Sequence, residues 1–275
     1  MQGRLVPKYR GRYQAHPVGC WQEEFQLAAS QGLDLVEFIL DYEGAETNPL
    51  LTERGRDEIL SLSARTGVHV RTVCADYFMA APLHGVSAEG IAKSRKGLED
   101  LVGAAARLGA TDIVIPCVDA SSLNRPGGAE GLIAALEPVV PLAERMGVNL
   151  SLETDLAPAP FAALLKRFGS RRVTVNYDTG NSAALGFDPR EELAAYGDRI
   201  SDVHIKDRER GGGSVLLGRG DADFDRFFES LSRVGYRGPF IMQAYRDDEG
   251  VRVFQEQLRW ITPKLERYGE RCGIE

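Results

Sequence analysis

Short apolar runs rich in valine, isoleucine and leucine alternate along this chain with longer amphipathic stretches, and that alternation narrows the folds open to it. The runs occupy residues 33–40, 68–75, 111–118, 148–155, 172–179, 200–207 and 239–246. Their continuous apolarity suits parallel strands covered on both faces, since a half-exposed strand would alternate. Helices are predicted between them at 20–31, 52–66, 88–109, 127–146, 158–168, 189–197, 222–235 and 250–268. Gly32, Gly67, Gly109, Gly147 and Gly235 stand where a helix hands over to the next strand, which is helix-ending chemistry. The opening MQGRLV offers an eighth strand. Eight β/α units within 275 residues predict one (β/α)₈ TIM barrel over residues 1–275, with a short first strand. A doubly wound open sheet satisfies the same local pattern. No Pro/Gly/Ser-rich linker divides the chain, and the glycine triplet 211–213 reads as a flexible loop after strand seven.

Composition excludes several functions. Hydrophobic residues are 43 % and charged residues 27 %, enough for a large core. A net charge of −7 argues against a nucleic-acid partner, which needs a basic stripe, yet permits a local basic pocket. Cys20, Cys74, Cys117 and Cys272 are widely spaced with no C-x-x-C, so free thiols and no cysteine zinc site are expected. No apolar run approaches the roughly 18 residues of a membrane span, and the start has no apolar signal core. A cytoplasmic protein without a membrane partner is expected, and a homo-oligomer is compatible with all of this.

Polar residues punctuate the C-terminal ends of the last four strands: Glu153 in LSLETD, Asp178 in VNYDTGN, His204 in DVHIKDR and Gln243 in FIMQAYR. In a barrel that end carries the active site, and closure would bring all four to one rim. Two carboxylates, an imidazole and an amide oxygen suit one divalent ion, Mn²⁺, Mg²⁺, Co²⁺ or Zn²⁺. Each residue has a blander role as well. A carboxylate in an apolar strand needs only a partner, Asp178 before Thr179–Gly180 can cap a helix, and a lone histidine or glutamine is often structural. Recurrence at the same place in four successive units favours the site. Lys206, Arg208 and Arg246, near the ends of the last two strands, are candidates for phosphate or carboxylate binding, or are solvated charges. Asp207 is a candidate for orienting Lys206 or His204, and Asn181 for binding substrate hydroxyls or shaping a turn. His16, Trp21, Tyr77 and Phe78 either wall a pocket or pack.

The segments MQGRL, GLDLVEFILDYE (32–43), VCADYFMAAPL (73–83), LETD (152–155), NYDTGNSAALGFDPREEL (176–193), DVHIKDR (202–208) and LGRGDADF (217–224) carry a resemblance over nearly the whole chain. The chain resembles the sugar phosphate isomerase/epimerase family of xylose-isomerase-like TIM barrels. The resemblance implies carbohydrate metabolism, a small sugar or sugar phosphate as substrate, and metal-ligand roles for Glu153, Asp178 and His204. Many members place a fourth ligand, a glutamate that also acts as base, where this chain has Gln243. An amide oxygen can coordinate a cation, but it cannot carry the proton.

The expected chemistry is a metal-dependent isomerisation or epimerisation through a metal-stabilised enediolate, with Glu153 as general base. One base explains aldose–ketose isomerisation more readily. Epimerisation needs a second group, for which Lys206, Asp76 and Glu37 are candidates near strand ends. A dehydratase or lyase would use the same enediolate, and a non-catalytic sugar-binding barrel would explain Gln243 as a lost base. A multi-metal DNA-repair nuclease of the endonuclease IV type fits poorly with four histidines and an acidic balance.

Overall fold

The computed structural model describes residues 1–2, 5–246 and 250–273. Seven strands form one parallel sheet in chain order: β1 (Leu35–Ile39), β2 (His69–Cys74), β3 (Asp112–Cys117), β4 (Asn149–Thr154), β5 (Val173–Asp178), β6 (Ile200–Ile205) and β9 (Phe240–Met242). Each lies within a run expected to be a strand. β3 and β5 are buried along their whole length, as continuous apolarity requires of a strand covered on both faces.

The sheet curls into a nearly closed barrel. Between β9 and β1, where an eighth strand was expected, the described residues place only Met1 and Gln2. The amide of Gln2 donates to Met242 O (3.4 Å), and Met1 O accepts from the Glu37 amide (2.7 Å). Gly3 and Arg4 of the expected strand lie outside the described residues, and Leu5 and Val6 are buried in a bend. Among the described residues, Met1 and Gln2 are what bridges β9 and β1.

The helices are α1 (Trp21–Ser30), α2 (Glu53–Thr66), α3 (Tyr77–Ala80), α4 (Ala88–Leu108), α5 (Gly128–Leu136), α6 (Val140–Met146), α7 (Pro158–Arg167), α8 (Thr179–Leu185), α9 (Pro189–Tyr196), α10 (Phe224–Val234) and α11 (Val251–Cys272). The helix expected over 127–146 is broken into α5 and α6 around Pro138, which has no N–H for the helical ladder. The short α3 and α8 follow β2 and β5 directly and are too brief to show a 3.6-residue period. In α10, Phe224, Phe227, Phe228 and Leu231 are buried at i, i+3, i+4 and i+7, the stripe that seats a helix on a barrel wall. No helix among the described residues is long and apolar enough to cross a membrane.

Two expectations beyond β6 need correction. The glycines at 211–213 are the turn of a short antiparallel hairpin, β7 (Asp207–Arg208) with β8 (Ser214–Val215), rather than a free loop. Asp207 orients neither Lys206 nor His204. Fully buried, it accepts backbone N–H bonds from Gly218 (2.8 Å), Gly220 (3.0 Å) and Ala222 (3.1 Å). It therefore ties down the LGRGDADF segment, and a β-carbon at Gly220 would collide with its Oδ1.

Candidate active site

Strand order decides which polar side chains meet. β4, β5, β6 and β9 are consecutive in the sheet, and parallel pairing puts their C-terminal ends on one rim. Asp178 faces His204 directly across the β5–β6 register. Glu153 Oε2 lies 3.7 Å, and Asp178 Oδ2 4.0 Å, from His204 Nδ1. Donor atoms of these three buried residues all lie within 4.8 Å of one another.

Asp178 is both a cap and a site residue. Its Oδ1 accepts N–H bonds from Gly180 (2.9 Å) and Asn181 (2.8 Å), capping α8, and this fixes the carboxylate so that Oδ2 is turned to the site. Lys206 Nζ lies against that oxygen at 3.4 Å and donates to Gln243 Oε1 at 2.9 Å. Thr179 Oγ1 accepts from the Lys206 amide (3.0 Å) and donates to the Lys206 carbonyl (2.6 Å), pinning the backbone beneath the ammonium. A β-carbon on Gly180 would stand 2.8 Å from Lys206 Cγ, so only glycine lets the lysine lie there.

Glu153 is held on both oxygens. Asn181 Nδ2 donates to Oε1 (2.5 Å) and Asn176 Nδ2 to Oε2 (2.9 Å). Arg208 Nη1 donates to Asn181 Oδ1 (2.8 Å), which forces the amide nitrogen toward Glu153, while Nε and Nη2 of the same arginine bond to Gly212 O. Arg208 and Asn181, both expected as substrate contacts, thus form a chain of bonds onto Glu153. Burial first, then the neighbouring Asp178 charge, push the Glu153 carboxyl up to about 7, with His204 and Lys206 opposing.

His204 is fully buried, and its acidic neighbours Glu37, Glu153 and Asp202 overcome the effect of burial and pull its pKa up to about 10. Glu153 Oε2 accepts from the amide nitrogen of Asn176, which also lies 3.1 Å from His204 Nδ1. The other ring nitrogen, Nε2, faces a second pair of carboxylates. On that side Glu37 Oε1 stands at 2.9 Å and Asp202 Oδ2 at 3.9 Å. Glu37, read from sequence as lying near a strand end, is in the middle of β1 and is buried beneath the imidazole.

The remaining candidates are placed less centrally. Asp76 follows β2, with Oδ1 accepting from Cys74 Sγ (3.2 Å) and Oδ2 from Gln14 Nε2 (3.3 Å). Burial raises its pKa, and its charge acts on Glu153. The Arg246 guanidinium lies 4.5 Å from the centre of the Tyr13 ring. His16 and Trp21 are buried and pack on Phe38 at 5.2 and 5.5 Å between ring centres. Asn176 and Thr179 were missed by sequence reasoning. Both stand in the VNYDTGN run, and a polar residue two before a strand-end aspartate was the available signal for Asn176.

The residues fit a divalent ion. Asp178 Oδ2, Glu153 Oε2 and the Nδ1 lone pair converge, the ligand chemistry is oxygen with one nitrogen, and Asn176 Oδ1 is a buried acceptor without a partner. Larger cavities of ≈ 340 and ≈ 360 Å³ open elsewhere, the first beside α8, α9 and α10 and the second beside Tyr42, Tyr77 and α4. Neither holds these donors, so chemistry rather than volume marks the site.

Comparison with known proteins agrees with the fold. Residues 25–264 match the model of the xylose isomerase-like TIM barrel family. The chain is 28 % identical to L-ribulose-5-phosphate 3-epimerase UlaE of Escherichia coli (strain K12 / DH10B), covering 93 % of this chain and 94 % of that one. The structure of 3-keto-D-glucoside 4-epimerase YcjR from E. coli superposes with a TM-score of 0.71 at 20 % identity, over 95 % of this chain and 98 % of that one. A xylose isomerase-like TIM barrel protein from Mycobacterium smegmatis, in complex with magnesium, gives a TM-score of 0.71 at 19 % identity, over 93 % and 90 %. The two structural likenesses are ones of fold.

Proposed function

The chain belongs to the xylose isomerase-like TIM barrel family of sugar isomerases and epimerases, and from that premise we propose that it is a divalent-metal-dependent epimerase of a ketose or ketose phosphate. The observation that carries this reading is the convergence of Glu153, Asp178 and His204 with a lysine ammonium poised on Asp178 and Gln243. A divalent cation held by Glu153, Asp178 and His204, with Gln243 beside them, supplies positive charge that polarises a substrate carbonyl and its neighbouring hydroxyl.

Glu153 takes the proton from the carbon next to that carbonyl. A carboxylate held in fixed position beside the carbon acid is the base such a step needs. Asn181, locked by Arg208, holds the carboxylate in place through the exchange. Lys206 returns a proton to the same carbon from the other side and inverts it. In the sheet β5 and β6 separate Glu153 on β4 from Gln243 just past the end of β9, and Lys206 reaches the Gln243 end. Lys206 therefore does the work that Gln243, with no proton to give, cannot do. A second reading, aldose–ketose isomerisation with Glu153 as sole base, is favoured by that same glutamine.

The 3-epimerase named among the relatives makes L-ribulose 5-phosphate the first substrate to try. The test is solvent-deuterium incorporation in D₂O, in protein supplied with Mn²⁺, over ketoses and their phosphates, with product configuration assigned by NMR. Deuterium at the carbon next to the carbonyl with inversion, lost on chelation, is expected. Exchange with transfer to the neighbouring carbon would select the isomerase reading. No exchange into any sugar would remove both.

A further inference from the structure

A chain with a net charge of −7 has few places where positive charge gathers. One lies outside the candidate active site, on the helix layer. A pocket of ≈ 90 Å³ between α10 and α11 is lined by Lys264, Arg267 and Arg271 of α11, by Asp225 of α10, and by Phe228 and Tyr268. The three cations stand at i, i+3 and i+7, so helix geometry puts them on one face. The two rings pack at 5.7 Å between centres, and the Tyr268 hydroxyl is already committed to Tyr236 O (2.7 Å). Polar recognition in this pocket is therefore left to the charges. Lys264 Nζ donates to Asp225 Oδ1 (2.6 Å). That hydrogen bond first, then the charges of Lys264, Arg267 and Arg271, hold the Asp225 carboxyl below its ordinary range, with burial opposing. One carboxylate thus answers three cations, an excess of two positive charges. Among the described residues Arg267 and Arg271 have no hydrogen bond or ion pair of their own.

We propose that this pocket binds a phosphate group, free or as a monoester, through Arg267 and Arg271 with Lys264 as the third charge. Like charges at i, i+4 on a helix repel, and nothing among the described residues relieves the pair Arg267–Arg271. A phosphate between them turns that repulsion into shared bonding, because each planar guanidinium can offer two parallel N–H donors to its oxygens. The dianion also matches the excess of two charges. Size narrows the ligand further. Pockets that enclose a whole small molecule measure about 300–1,000 Å³. A volume of ≈ 90 Å³ takes one tetrahedral oxyanion and leaves whatever carries it in solvent. Glu153, Asp178, His204 and Lys206 do not line this pocket, so the proposal stands apart from the metal-dependent reading above.

The test is a titration of the full chain with inorganic phosphate, at ionic strength matched with sodium chloride, read by the arginine Nε–H signals in ¹H–¹⁵N NMR. The signals of Arg267 and Arg271 should move together and saturate. The double variant Arg267→Gln/Arg271→Gln should lose about tenfold or more in affinity, the scale of a charged hydrogen bond. Both arginines are exposed, and glutamine is as good a helix former, so this variant keeps its fold. Asp225→Asn should act in the opposite direction. It removes the competing carboxylate and should tighten binding by about two- to fivefold, the range of an exposed ion pair. Ribose 5-phosphate titrated in parallel identifies the source: tighter binding than inorganic phosphate points to a phosphorylated metabolite, and equal or weaker binding to the free ion. Shifts that do not saturate, or that chloride alone reproduces, would overturn the proposal. So would a double variant that binds like its parent, or shifts confined to Arg208 at the barrel mouth. Glu153→Gln should bind phosphate at this pocket as the parent does, so loss of the proposed epimerase chemistry and loss of this site are read separately.

Discussion

Two buried glutamates, Glu153 on β4 and Glu192 on α9, line the same small cavity of ≈ 20 Å³ yet live in different chemistry. Glu192 accepts from Tyr177 Oη (2.7 Å), Tyr196 Oη (2.8 Å) and Ser182 Oγ. Its pKa is raised by burial, against which the hydroxyls act, and the Asp188 charge contributes least. Glu153 has two amide donors, and Asp178, His204 and Lys206 crowd it with charge. Burial alone is enough to raise a carboxyl. Opposed charges at contact distance are what make its protonation responsive to a substrate or cation. Glu192 ties a helix to a strand, whereas Glu153 is the group proposed to exchange a proton.

The largest expected effect separates the two directly. Glu153→Gln should reduce proton exchange by about 10²–10⁴-fold, the usual range for loss of a general base, while Glu192→Gln should leave exchange within about threefold. Equal losses in the two variants would erase the distinction. Equal retention would move the base to another group.

Stability should show the reverse order. Glu192→Ala removes the acceptor shared by three buried hydroxyls and leaves Tyr177 only its bond to Ser182 Oγ (3.1 Å), which should cost about 2–4 kcal/mol in urea unfolding. Glu153→Gln keeps the volume and one of the two amide-bonded oxygens and removes repulsion from Asp178, but turns its NH₂ onto the other amide donor, so its unfolding midpoint at pH 7 should fall less than that of Glu192→Ala. A Glu192→Ala protein as stable as its parent would show that the hydroxyl cluster is an ornament on the helix packing.

The smallest effect tests the idea that burial without charged neighbours tunes stability rather than chemistry. His16, packed on Phe38 and Trp21, is driven down to about 4 by burial alone. It is neutral in the fold, and the unfolded chain takes up its proton near the ordinary value of about 6.5. Between these values the unfolded state holds more protons, so stability is full above about 6.5 and is lost as pH falls toward 4, by about 2–3 kcal/mol. Glu192 has the opposite sign. Its folded pKa is raised, so the fold holds the extra proton and stability falls as pH rises above the ordinary glutamate value. Urea unfolding of His16→Phe and Glu192→Gln from pH 4 to 7 should remove one slope each, in opposite directions. A His16→Phe protein with the parent's acid sensitivity would assign that slope to another group.

Much of the fold was legible in the chain because its strands are buried on both faces. Such strands must be continuously apolar, and the runs around Ile113–Ile115 and Val173–Val175 announce themselves. The rim donors were legible for the converse reason: Glu153 and His204 interrupt runs that burial would otherwise keep apolar. The split at Pro138 was also written in the sequence, but the amphipathic period across 127–146 obscured it. The glycines at 211–213 look like any flexible loop until Asp207, fully buried, is seen to gather the N–H groups of the segment beyond them.

The sequence by itself determined the alternation of strand and helix and which polar residues stand near the strand ends, because those depend on period, burial and spacing along the chain. Only the tertiary structure decided how those donors are used. It made Asp178 a cap through one oxygen and a site residue through the other. It brought Lys206 to the position beside Gln243, turned Arg208 and Asn181 onto Glu153, and set Glu37, 167 positions away in the chain, beneath His204. It also set Met1 and Gln2 between β9 and β1. The physical reason is that hydrogen-bond direction and the choice of partner are set by distances of a few ångströms between strands. The barrel's closure and register fix those distances, and local sequence does not encode them.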